Sequence, residues 1–219
     1  MELAKPKALL FDWDNTLVDT WPIIHRALHD TMTEYKMTPW TMDEVKERVA
    51  RSMRDAFPDL FGDKWQEAGE RYMANYRKYN IEWLKPLAGT VEMLEVIKDL
   101  PIYRGIVSNK RSDNLRAEVE HLGWGKYFNV LVGSGDAARD KPFPDPIHKA
   151  LEQTHLKPDA SVWFIGDSHI DLETAEGLGL TAIFYYNELV DGNRYKGFGF
   201  HHRVADHQEL MDLFRKIKL

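Results

Sequence analysis

Residues Lys7-Ala8-Leu9-Leu10-Phe11-Asp12-Trp13-Asp14-Asn15-Thr16 frame the whole chain. Four consecutive apolar residues that end abruptly in an acid read as a short strand buried on both faces, the habit of a parallel sheet. Beyond Phe11 the character changes to polar. Side chains alternate along extended backbone, so Asp12 and Asp14 lean to one side and Trp13 to the other. Similar apolar runs recur at 103–107, 129–132, 161–165 and 181–185. Between them lie stripes of helical period: Met93, Leu94, Ile97 and Leu100; Leu115, Val119 and Leu122; Ile147, Ala150, Leu151 and Thr154. A further helix is expected over 169–178, stopped by Gly177 or Gly179, and a last one carries Leu210, Phe214 and Ile217 on one stripe.

Strands alternating with helices mean βαβ units and a parallel sheet. The expected fold is therefore α/β, a Rossmann-like doubly wound parallel sheet. One region breaks the rhythm. From Leu17 to about Pro86 no convincing strand is found, only helical stripes: Trp21, Ile24, Leu28, Met32 and Tyr35, then Trp65, Ala68, Tyr72, Tyr76 and Tyr79. This stretch reads as an inserted all-α cap at 17–86, with 1–16 and 87–219 forming the core. Turn-like segments lead in (Asp19-Thr20-Trp21-Pro22) and out (Lys85-Pro86-Leu87-Ala88-Gly89). The segment 191–200, with three glycines and three aromatics, reads as a surface loop.

Composition narrows the function classes. The 219 residues carry 29 Lys and Arg against 35 Asp and Glu, a net charge of −6, which argues against a nucleic-acid partner. No apolar run approaches the ~20 residues a membrane helix needs, so no membrane partner is expected. The absence of cysteine excludes a thiolate nucleophile and any cysteine-held metal site. The first residues, Met-Glu-Leu-Ala-Lys-Pro-Lys, contain no apolar signal core, and a cytoplasmic location is the expectation.

Polar residues gather after the strands, where open parallel sheets bind ligands. Asp12 and Asp14 follow the first strand, Ser108-Asn109-Lys110 the second, and Gly166-Asp167-Ser168-His169-Ile170-Asp171 the fourth; Lys141-Pro142-Phe143-Pro144-Asp145-Pro146 precedes a helix. Carboxylates converging at one sheet edge repel unless protonated or neutralised by a cation. All-oxygen ligation suits Mg2+ rather than zinc, and Mg2+ commonly shares its shell with a substrate phosphate. Ser108, Lys141 and helix N-termini are suitable donors for the remaining phosphate oxygens.

Taken in order, Asp12-x-Asp14-x-Thr16, Ser108-Asn109, Lys141-Pro142 and Gly166-Asp167-x-x-x-Asp171 resemble the four motifs of the haloacid dehalogenase superfamily of hydrolases. The resemblance covers nearly the whole chain, and the insertion resembles that family's small helical cap. Asp19-Thr20 and the string beginning Lys141-Pro142 look most like the phosphoglycolate phosphatase-like branch. The resemblance implies a Mg2+-dependent phosphatase acting on a small phosphate monoester, phosphoglycolate-like or a sugar phosphate, through an aspartyl-phosphate. It further implies that Asp12 is the nucleophile and Asp14 the general acid and base, while Ser108 and Lys141 grip the transferring phosphoryl group. Thr16, Asn109 and Arg54 join the phosphate- and substrate-binding set. The metal would take Asp12, Asp14 (through its main-chain carbonyl), Asp167 and Asp171, the last through water unless it instead orients Lys141. Trp13 is bulkier than the family's usual residue there, Asn15 stands where many members have glycine, and Ala50 replaces a common glycine of the cap.

Other readings stay open at this stage. A phosphomutase or phosphotransferase uses the same core. A haloacid dehalogenase dispenses with the second aspartate, and Asp14 speaks against it. A receiver-like signalling domain also phosphorylates a strand-end Asp, but is roughly half this length and has no cap. Taken singly, most candidates have plainer explanations: Ser108 as a helix cap, Asp171 as a first-turn acid, and the 65–79 stripe as cap core. Likewise His169 reads as solvated or supporting, and His201, His202 and His207 as a solvated loop. Arg48, Arg51 and Arg54 either meet a substrate anion or form a solvated helix face. Oligomeric state is open between monomer and homodimer.

Overall fold

The computed structural model describes residues 3–186, 195 and 197–217. Its centre is β1 (Ala8–Phe11), buried at every position. Both edges of β1 are paired in parallel, to β4 (Tyr103–Arg111) on one side and β6 (Val162–Gly166) on the other. Such a strand has no solvated face, which is why its sequence runs apolar instead of alternating. Leu9 and Phe11 enter one core, with Met93, Leu94, Leu115 and Leu210. Ala8 and Leu10 enter the other, with Ile147, Ala150, Leu172 and Ala175. Helices therefore cover both faces: α5 (Thr90–Ile97), α6 (Ser112–His121) and α9 (His207–Lys216) on the first, α7 (Asp145–Leu151) and α8 (His169–Leu178) on the second.

The sheet order is β5-β4-β1-β6-β7-β8, with β5 at Val130–Ser134, β7 at Thr181–Tyr185 and β8 at His202–Val204. The chain moves outward from β1 to β4 and β5, then returns to the other side of β1 for β6, β7 and β8. That reversal opens a crevice at the carboxyl ends of β1, β4 and β6, the usual ligand position in open α/β sheets. The doubly wound parallel core is as read from the strand runs. The sixth strand was missed, because three residues with a histidine and an arginine carry no strand pattern.

Four α-helices stand between β1 and α5: α1 (Trp21–Glu34), α2 (Met42–Arg48), α3 (Met53–Phe61) and α4 (Trp65–Trp83). The expectation of no strand in 17–86 needs a correction. Val18–Asp19 (β2) pairs antiparallel with Lys85–Pro86 (β3), tying the outgoing and returning chains at the root of the insertion. Two-residue strands are invisible to periodicity. The loop expected over 191–200 lies largely outside the described residues.

Gly105 on β4 shows how tightly the sheet and its neighbours pack: a Cβ there would lie 2.6 Å from Val130 Cγ1 and 3.0 Å from Leu10 Cδ2. Gly105→Ala is expected to lower unfolding free energy by about 1–3 kcal/mol, the usual cost of overpacking. Urea denaturation checks it; an unchanged midpoint would mean that Val130 and Leu10 yield freely.

Candidate active site

Asp12 continues the line of β1, its N–H donating to the Ile165 carbonyl (2.8 Å). The chain then turns sharply. Asn15 has φ = +59°, a left-handed conformation that asparagine tolerates better than most non-glycine residues. Its side-chain oxygen accepts from the Thr20 N–H (3.2 Å), fixing the turn that leads into the cap. Asparagine at this position thus does the conformational work of a glycine and adds an anchor.

Lys141 reaches into the crevice from the segment before α7 and is almost wholly buried, with an exposure of 2%. Its ammonium lies 2.6 Å from Asp171 Oδ1 and 3.0 Å from Asp12 Oδ1. Burial alone would lower the pKa of Lys141, but the charges of Asp12 and Asp171 outweigh it and hold the ammonium protonated. Asp171 is oriented from behind, since Ser168 donates to Asp171 Oδ2 through its N–H (3.0 Å) and its hydroxyl (2.6 Å), as part of the capping box that starts α8. Asp167 Oδ1 accepts from the Thr16 hydroxyl at 3.0 Å.

Oxygens of Asp12, Asp167 and Asp171 lie within 4.8 Å of one another. One ammonium cannot neutralise three carboxylates, two of them buried and Asp167 half-buried. The Asp12 carboxyl is pushed up to about 6, chiefly by burial, with Lys141 pulling down and Asp171 and Asp14 pushing up. Asp167 is raised well above the carboxylate range by burial and then by Asp12 and Asp171. Asp12 Oδ1 is buried and has no hydrogen-bond partner; Lys141 is at ion-pair distance without hydrogen-bond geometry. A cluster of hard oxygens with a surplus of negative charge and an unengaged lone pair fits a small divalent cation such as Mg2+.

Ser108 stands within β4, buried, and its oxygen accepts from the Lys110 N–H (3.2 Å). It does not cap a helix: β4 runs on through a bulge to Arg111, and α6 begins at Ser112. Asn109 is committed to holding Lys141, accepting from its N–H (2.9 Å) and donating to its carbonyl (3.0 Å), while also reaching the Ala50 carbonyl of the cap (3.3 Å). The Thr16 hydroxyl is buried against Asp167. Both residues therefore support other site residues, whereas phosphate contact was expected of them. Arg54 pairs through Nε with Asp140 (2.5 Å), which also accepts from Ser134 (2.8 Å), and its Nη2 is buried without a hydrogen-bond partner among the described residues. The expected arginine row does not share a helix: Arg48 ends α2, Arg51 lies in the break that follows, and Arg54 opens α3.

A second buried network was missed from sequence. The Lys110 ammonium lies 2.5 Å from Asp14 Oδ1 and 3.2 Å from Glu118 Oε2, and donates to the Tyr76 hydroxyl (2.7 Å). Tyr76, from the cap, donates to Glu118 Oε1 (2.9 Å), and the Trp13 indole N–H donates to Glu118 Oε2 (2.7 Å). Glu118 is fully buried, and burial raises its pKa against the pull of Lys110. Lys110 stays charged, because Asp14 and Glu118 together overcome the cost of its burial. The available signal was an acid at 118, beside the apolar stripe of Leu115, Val119 and Leu122. The 65–79 aromatic stripe is thus more than cap core, since Tyr72 and Tyr76 line the crevice. His207, read as part of a solvated loop, is buried beside Thr90 and Tyr185, where burial lowers its pKa. His169 packs its ring near Phe198 (5.7 Å).

Residues 9–185 match the sequence family described as haloacid dehalogenase-like hydrolase. The chain belongs to this family. Among curated relatives of these hydrolases, it is 27% identical to a phosphoglycolate phosphatase of Aquifex aeolicus, over 94% of this chain and 97% of that one. It is 26% identical to an N-acetylmuramic acid 6-phosphate phosphatase of Pseudomonas aeruginosa, over 97% and 96%. Among solved structures, a hydrolase of the haloacid dehalogenase-like family from Streptococcus pneumoniae superposes with a TM-score of 0.84 at 21% identity, covering 95% of this chain and 98% of that one. Among the described residues no helix is long and apolar enough to cross a membrane.

Gly166, at the end of β6, gives this hydrolase site a sensitive point that carries no reactive group. A Cβ there would lie 2.4 Å from Asp171 Cγ. Gly166→Ala is expected to drive Asp171 off Lys141 and to lower stability by about 1–3 kcal/mol. Chemical denaturation reads the loss, and wild-type stability would mean that α8 can shift without consequence.

Proposed function

We propose that this hydrolase is a phosphatase that releases phosphate from a small phosphorylated molecule through a covalent intermediate on Asp12. The observation that carries the reading is the buried Asp12–Lys141–Asp171 array beside Asp167, at the sheet's reversal point. Asp12 attacks phosphorus and becomes an aspartyl-phosphate, a role open to carboxylates. Lys141 and the Ser108 hydroxyl stabilise the equatorial oxygens of the transferring group, while Lys141 also holds Asp12 ionised when phosphate arrives. Asp14 gives a proton to the departing alcohol and takes one from the water that then cleaves the acyl phosphate. Lys110 fixes the Asp14 carboxylate and leaves its other oxygen for that exchange. Asp171 orients Lys141, and Thr16 and Asn109 hold Asp167 and the Lys141 segment. Asp12, Asp167 and the Asp14 main-chain carbonyl would hold Mg2+, which supplies charge neutralisation for phosphate in an otherwise acidic crevice.

Phosphate release from a panel of monoesters tests this directly. Wild-type protein is expected to turn over at least one ester in the presence of Mg2+, and Asp12→Asn to lose at least 10³-fold in kcat. Equal turnover by the variant sinks the mechanism.

Ion binding should also read out in stability. Because the Asp12 carboxyl titrates near 6 in the folded state, against 3.8 as its ordinary value, the metal-free fold loses stability as pH rises from about 4 through 6. A divalent cation favours the ionised form and returns that loss. Added Mg2+ is therefore expected to raise Tm more at pH 7.5 than at pH 5. An equal shift at both pH values would remove the carboxylate cluster as the binding site.

A further inference from the structure

The crevice continues from the carboxylates into the cap as a cavity of about 350 Å³. From the cap it is lined by Ile24, Leu28, Met53, Phe57, Leu60 and Tyr72, together with Trp21 and Trp40. This is far more room than a phosphoryl group with a two-carbon acid fills, and its lining is predominantly apolar. Pockets of this kind bind ligands by apolar burial and use a few polar groups for orientation.

Cations decide which leaving groups are welcome. The phosphoryl-facing Lys141 is held by Asp12 and Asp171, and Lys110 by Asp14 and Glu118. The remaining cations of the lining are paired as well. Arg48 lies 3.3 Å from Glu44 and over the Trp40 ring, Arg51 lies 2.7 Å from Asp59, and Arg111 lies 3.1 Å from both Glu70 and Asp113. Asp59 lines the same cavity as Arg51, so the counter-charge of that arginine comes from within the cavity. A second anion on the substrate would compete with Asp59 for Arg51 and otherwise sit against aromatic and aliphatic side chains. Burying a charge without a free partner is costly, whereas each buried methylene favours binding several-fold. The Tyr72 hydroxyl makes no hydrogen bond to any described residue and offers a neutral handle for an ether or hydroxyl oxygen.

Building on the phosphatase reading above, we infer that the substrate is a phosphate monoester of an uncharged alcohol with a bulky, largely apolar ring. Esters carrying a second anion next to the phosphate are poor substrates.

The test compares kcat/KM for four esters of unactivated alcohols: benzyl phosphate, cyclohexylmethyl phosphate, glycerol 3-phosphate and phosphoglycolate, with inorganic pyrophosphate alongside. The ring esters are expected to exceed phosphoglycolate and pyrophosphate by at least tenfold, mainly through KM. Asp59→Asn frees Arg51 and is expected to narrow that ratio at least threefold by improving phosphoglycolate. Preference for phosphoglycolate or pyrophosphate in the wild-type protein overturns the inference and leaves the phosphatase reading standing. An unchanged ratio in Asp59→Asn overturns the role of the Arg51–Asp59 pair and with it the electrostatic half of the inference. Absence of turnover with every ester, in protein folded by circular dichroism, overturns the phosphatase reading and the inference together.

Discussion

Two buried carboxylates, a third half-buried one and one buried ammonium share the end of β1, and this imbalance organises the molecule. An isolated carboxylate in such a place would neutralise itself by taking a proton. Asp12 and Asp167 are both pushed in that direction. Lys141 offsets a part of the charge only because Asn109 pins its backbone from β4 and Asp171 pins its ammonium from α8. The cluster thus needs β1, β4, β6 and the segment before α7 to converge on one point. Parallel strands with a reversal in order provide that convergence, so the fold's topology and the site's electrostatics are one constraint.

Much of this was legible in the sequence because both periodicities were clean. Four of the six core strands and all the core helices announce themselves by apolar runs and stripes, β4 shows its first half, and the acids stand immediately after the strands. What stayed hidden has physical causes. Strand pairs of two residues, such as Val18–Asp19 with Lys85–Pro86, lack the length to show a period. β8 is an edge strand with one buried residue, so its pattern is mostly polar. Motif spacing locates a residue but does not say whether its polar atoms face the ligand or a neighbour: Thr16 and Asn109 turned out to be spent on Asp167 and Lys141.

Departures from the family pattern also acquire reasons once the packing is known. Trp13 occupies a fully buried site, edge-on to Trp124 at 5.6 Å, and its N–H completes the bonding of Glu118. A small residue there would leave a void and an underbonded buried acid. Glu118 in turn needs Lys110, and Lys110 is what contacts Asp14. A bulky aromatic in the first motif and an acid on the apolar face of α6 are therefore two halves of one arrangement.

The cap meets the core through a few buried or half-buried polar contacts, and their placement is informative. The Ala50 carbonyl meets Asn109, which holds Lys141; Arg54 meets Asp140, the residue before Lys141; Tyr76 meets Glu118 and Lys110, which hold Asp14. These contacts end on a neighbour or a support of a charged site residue and not on that residue itself, whereas Arg77 and Met73 of the cap meet Asn114 of α6. Lifting the cap would remove one hydrogen-bond partner from each support and admit water to groups whose charges are set by burial. Closure and the charge state of the crevice are consequently linked through the same side chains. On the proposed chemistry, that linkage confines a reactive Asp12 and a properly held Asp14 to the closed arrangement, in which the apolar wall of the cap also selects the alcohol to be released.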